Sequence, residues 1–117
     1  MWVDHEPVNL SPAARAAVAD PRNDIWFSVV NIWEMVIKIG AGKLVMPNPP
    51  DAIAARQMAN GMRLLDVTLP HVVDVGRLPP IHRDPFDRLL VSQARAEGLT
   101  LVTFDPLVAQ YPVSVLW

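Results

Sequence analysis

From Asp84 to Asp105 the chain reads DPFDRLLVSQARAEGLTLVTFD, and few folds can accommodate that stretch. An acid followed by proline starts a helix, an apolar stripe runs along it, and Gly98 ends it. The run LTLVTF that follows reads as a buried strand, with Asp105 at its carboxyl end. A helix feeding directly into a buried strand belongs in an open α/β sheet, where chemistry collects at the carboxyl edge of the strands. The stretch therefore brings three carboxylates, those of Asp84, Asp87 and Asp105, within reach of one point. Acids gathered without cysteine, and with no evident histidine partner, suggest a hard divalent cation such as Mg²⁺ or Mn²⁺.

The rest of the chain keeps the same alternation. Ser11 and Pro12 open a helix, SPAARAAVAD, that Pro21 terminates. IWF at 25–27 is a short apolar strand, and Ser28 caps a helix running through Lys38 to glycines at 40 and 42. Asn48, with prolines at 49 and 50, starts a third helix that continues to Gly61. Leu64 to Thr68 reads as a strand and LPHVVDVGRL as a short helix before the Pro79-Pro80 break. After the strand at 99–104 come a helical turn and a last strand, VSVLW. Strands separated by helices imply a mostly parallel sheet covered on both faces.

At 117 residues the chain fits one domain of ordinary size. Hydrophobic residues make up 51% and charged residues 19%, which argues against disorder. The longest apolar candidate, from Ile25 to Ile39, is broken by Ser28, Asn31, Glu34 and Lys38 and is too short to cross a bilayer. The start MWVDHEPVNLS lacks the pattern of a secretion signal. The absence of cysteine removes disulfides and thiolate chemistry, and fits a cytoplasmic setting. A net charge of −2 is not that of a basic nucleic-acid binder, yet adding two divalent ions at Glu34, Asp84, Asp87 and Asp105 would leave +2. A phosphate-bearing substrate is therefore compatible with the acidic balance.

Each acid also has a purely structural explanation. Asp84 can cap the helix, with Pro85 in its first turn and Asp87 facing the positive end of the dipole. Glu34 precedes Lys38 by one turn and can pair with it. Asp105 before Pro106 can cap the next turn, and Thr103, on the same side of an extended chain, can orient Asp105 or a water. His5, His71 and His82 lack metal-ligand spacing and read as non-catalytic, although His82 adjoins Asp84. Arg83 and Arg88 flank the acids and are placed to meet phosphates or solvent. The tryptophans, Met58 and Met62 read as packing for a core or an interface. No dinucleotide, nucleotide, zinc-protease or serine-hydrolase motif is present.

Taken in order, SVVNIWEMVIKIGAGKL, HRDPFDRLLVSQARAEGL and TLVTFD resemble PIN domains, specifically the VapC-like toxins of type II toxin–antitoxin pairs. The resemblance implies a three-layer α/β/α sandwich with a mostly parallel central sheet. It also implies a Mg²⁺- or Mn²⁺-dependent endoribonuclease, an antitoxin partner and a homodimer. On that pattern Glu34, Asp87 and Asp105 match the metal-holding acids, Asp84 an additional acid of the subgroup, and Ser28 and Thr103 supporting positions. Phosphodiester attack would use cations to screen the phosphate and lower the pKa of bound water.

One expectation concerns the beginning of the chain. The family pattern opens on a strand of the type LLLDTHVLLW, whereas MWVDHEP places Asp4 in a turn ahead of SPAAR. The first central strand and its aspartate are therefore expected to be missing from a single domain over 1–117, truncated at its N-terminus, with weak or no nuclease activity. The rival is a non-enzymatic PIN-like module that keeps partner binding. A metal-dependent phosphatase is disfavoured by the absence of a strand-end DxD.

Overall fold

The computed structural model describes residues 2–3, 10–103 and 105–117, with side chains from residue 10 onward. Ser11 accepts a hydrogen bond from the Ala14 N–H at 3.1 Å and starts α1, Pro12–Ala19. The strand β2, Trp26–Ser28, passes directly into α2, Val29–Gly40. Ser28 and Asn31 form a reciprocal capping box there, which ties the end of the strand to the first turn of the helix. Gly42, at φ +71°, supplies the left-handed residue beyond that helix.

Helix α3, Pro50–Ala59, begins after Pro49 with no side-chain cap, so the expected role of Asn48 is not observed. Strand β3 is Arg63–Leu65 and ends earlier than the sequence suggests. Thr68, expected in that strand, instead caps α4, Leu69–Val75, in a box with His71. Helix α5, Pro85–Glu97, carries the Asp84 cap and stops at Gly98, φ +66°, a left-handed position that suits glycine. Strand β4, Leu101–Val102, a 3₁₀ turn at Val108–Gln110 and β5, Val115–Leu116, complete the chain.

The five strands form one parallel sheet in the order β3-β2-β1-β4-β5, and its central strand is β1, Trp2–Val3. This corrects the expectation that the first central strand is missing. Trp2 is in register with Trp26 on one side and Leu101 on the other, and Val3 with Val102. Asp4 follows that strand in the sequence but lies, with 5–9 and Phe104, outside the described residues.

Successive residues of β4 separate the two faces. Leu101 joins the larger core with Val30, Leu90, Val91, Ala94 and Tyr111, beneath α2 and α5. Val102 joins Leu10 and Ala14 on the other face, beneath α1. Helices thus cover both sides of a parallel sheet, the three-layer α/β/α arrangement that alternating strands and helices imply. Because every strand runs the same way, Ser28, Val3 and Thr103 all reach its carboxyl edge.

Candidate functional site

At that edge the start of α5 meets the segment after β4. Asp84 is the N-cap of α5: its Oδ1 accepts from the Phe86 N–H at 2.8 Å and the Asp87 N–H at 3.3 Å. The cap fixes the first turn, and Asp87 rises from it. Asp105 is fixed twice, its own N–H donating to Thr103 Oγ1 at 3.2 Å and its Oδ1 accepting from the Leu107 N–H at 2.9 Å. Its second oxygen is turned elsewhere.

That oxygen meets His82. The ring Nε2 stands 3.0 Å from Asp105 Oδ2 and 3.0 Å from Asp87 Oδ2, so one imidazole joins both carboxylates. Ligand atoms of His82, Asp87 and Asp105 all lie within 4.8 Å of one another, and all three residues are partly exposed. The reading of His82 as a bystander misses this. Its signal lies in the order His-x-Asp-Pro, which lets the Asp84 N–H donate back to His82 Nδ1, at 3.0 Å. The donor set suits a divalent cation: two anionic oxygens converge without cysteine beside one imidazole, a setting open to Mg²⁺ or Mn²⁺.

The remaining sequence candidates are placed differently. Glu34 is buried on α2 and pairs with Lys38 at 2.9 Å, as the spacing allows, and it is not in the group around His82. One turn earlier Asn31 Nδ2 is buried with no hydrogen-bond partner among the described residues, a donor that a bound acceptor would satisfy. The two helices meet where Trp33 packs edge-on against Phe86, ring centroids 4.7 Å apart. Asp84 acts as a cap and does not join the cluster. Ser28 is fully buried and gives its hydroxyl to Gln93 Oε1 at 2.7 Å.

Arg88 is committed to structure. Its guanidinium donates to Val75 O at 2.9 Å, Pro79 O at 3.0 Å and the Tyr111 hydroxyl at 3.3 Å. That hydroxyl also accepts the His82 N–H at 2.8 Å, so Arg88 and Tyr111 together anchor the main chain from which the imidazole projects. Arg83 is exposed beside the cluster, with no ion pair among the described residues. Met58 is also exposed, and so belongs to the surface rather than the core.

Residues 4–113 match the model of the PIN domain family. No curated protein sequence matches the chain. Among solved structures it is similar to FitAB bound to the IR36 DNA fragment, at 16% identity and a TM-score of 0.59, covering 98% of this chain and 92% of that one. FitAcB from Neisseria gonorrhoeae gives 16% identity and a TM-score of 0.57, with 99% and 96% covered. At that identity the likeness establishes a shared fold.

Proposed function

The chain belongs to the PIN domain family, and from that premise we propose that it is a metal-dependent endoribonuclease, the toxin of a type II toxin–antitoxin pair. The observation that carries the reading is the convergence of Asp87 and Asp105 on one point at the carboxyl edge of a parallel sheet. Asp87 and Asp105 would hold the cation, with Glu34 on the neighbouring helix as the third acid of the family pattern. Bound Mg²⁺ or Mn²⁺ would supply charge neutralisation for a phosphodiester and a more acidic water.

The protein's own residues supply the rest. The Asp84 cap and the Thr103 hydroxyl hold the two aspartates in place, and exposed Arg83 is available to an RNA phosphate. A cognate antitoxin, and a second copy of the chain, would find apolar surface on α2 at Val29, Trp33, Val36 and Ile37, all of it exposed. Among the described residues no helix is long and apolar enough to cross a membrane. The expectation of weak activity rested on an absent central strand and its aspartate; the strand is in place as β1, while Asp4 lies outside the described residues.

Cleavage of a mixed RNA pool by the purified chain tests the proposal. Activity should require Mn²⁺ or Mg²⁺, vanish with chelator and return on adding metal back. Asp87→Asn should lower it at least about a hundredfold, since even the supporting partners of metal ligands are worth roughly ten- to a hundredfold. Cleavage that survives chelation, or equal cleavage by Asp87→Asn, would sink the metal-dependent reading, and no cleavage with metal present would leave the partner-binding module.

A further inference from the structure

The imidazole between the two aspartates has a role of its own. We infer that His82 is a positioning residue, whose single Nε2–H holds the Asp87 and Asp105 carboxylates at one point, and that it is not a third metal ligand. The inference rests on the reading of those two aspartates as cation ligands.

The tautomer decides between the roles. Asp84 donates its N–H to His82 Nδ1 at 3.0 Å, so the lone pair of that nitrogen is occupied. The ring proton then resides on Nε2, the nitrogen 3.0 Å from each carboxylate oxygen. Ligation through Nε2 would require the proton to move to Nδ1, where it would face the Asp84 N–H. That N–H cannot easily turn away, because Asp84 is the helix cap and its side chain is bound to Phe86 N and Asp87 N.

The ring is also held from behind. The His82 N–H is bound to the hydroxyl of Tyr111, a core residue 3% exposed, and Arg88 ties that hydroxyl to the carbonyls at the end of α4. A main-chain anchor, a fixed tautomer and two acceptors therefore define where the N–H points. Two like charges are drawn together before any cation arrives, which reduces the rearrangement that binding requires.

Calorimetric titration of the whole chain with Mn²⁺ separates this inference from the reading beneath it. Wild type should bind and Asp87→Asn should not; binding absent from wild type, or unchanged in Asp87→Asn, overturns the reading and the inference together. His82→Ala should weaken binding roughly ten- to a hundredfold. His82→Gln, which keeps an N–H donor, should recover part of that loss. Pulsed EPR of the Mn²⁺ complex should show no imidazole nitrogen in direct coordination. With binding to Asp87 intact, either unchanged or tighter Mn²⁺ affinity in His82→Ala, or a bound-imidazole signal lost in that variant, would overturn the positioning role alone.

Discussion

Two histidines in this molecule are wired alike and serve different ends. At His71 the Thr68 N–H donates to Nδ1 at 3.0 Å and Nε2 lies 2.8 Å from Glu97 Oε1. At His82 the Asp84 N–H donates to Nδ1 and Nε2 faces Asp87 and Asp105. Both rings carry their proton on Nε2 and aim it at carboxylate. What differs is burial and stoichiometry. His71 is 1% exposed and gives one donor to one acid. Gln93 and Ser92 close the arrangement around it, with the Ser92 hydroxyl on His71 O at 2.6 Å and Gln93 Nε2 on Asp66 O at 3.2 Å. His82 gives one donor to two acids in a partly exposed setting, so two carboxylates stand close together around one ring. A matched pair is structural glue, whereas a surplus of carboxylate invites a cation.

The strongest way to break the comparison is to remove the buried ring. His71→Ala leaves the Thr68 N–H and part of Gln93 without a partner and opens a cavity, and should cost about 3 kcal/mol of stability. Urea denaturation measures that loss, while Mn²⁺ affinity should remain that of wild type. An equal fall in affinity would show that the two histidines do not divide structure from site. His82→Ala, with its ring partly in solvent, should lose only about 1 kcal/mol by the same assay.

The capping residues sharpen the contrast. Thr68→Ala and Asp84→Ala each remove a helix N-cap and should each cost about 1 kcal/mol. Both variants keep the main-chain N–H that meets the neighbouring imidazole, but Asp84→Ala also loosens the turn that carries Asp87, so it should weaken Mn²⁺ binding by less than His82→Ala does. A loss as deep as that of Asp87→Asn would make Asp84 a ligand and the cap a secondary matter.

The smallest effect belongs to a pair outside both regions. Arg22 binds Asp20 and holds its carboxyl below the ordinary range. A lowered pKa stabilises the fold above the unfolded-state value and loses that contribution as acid protonates the group. Arg22 is exposed and Asp20 partly so, and Asp20→Asn should leave the melting temperature at neutral pH within measurement scatter. A clear drop would mean that this pair bears more of the fold than its exposure suggests.

Helix α5 was legible in the sequence because its signals are local: an Asp-Pro start, an apolar stripe and a glycine stop. The caps at Ser11 and Ser28 were readable for the same reason. β1 was not, since two residues carry no periodicity and only their neighbours in the sheet make Trp2–Val3 a strand. Thr68 was misplaced because a threonine after an apolar run suits a strand end as well as a cap. Among candidate site residues, Asp87 and Asp105 were found through their helix start and strand end. His82 was passed over because its partners lie five and twenty-three residues away, a spacing that only the packing of α5 against the end of β4 explains.

The brevity of β1 has a thermodynamic consequence. Within the sheet, only the two residues of β1 join β2 and β3 to β4 and β5. The halves hold together through side chains across α2 and α5: Val30 shares a core with Leu90 and Leu101, Trp33 packs on Phe86, and Ser28 donates to Gln93. Amide protons of the two halves should therefore exchange with solvent in one shared opening rather than as separate cooperative units.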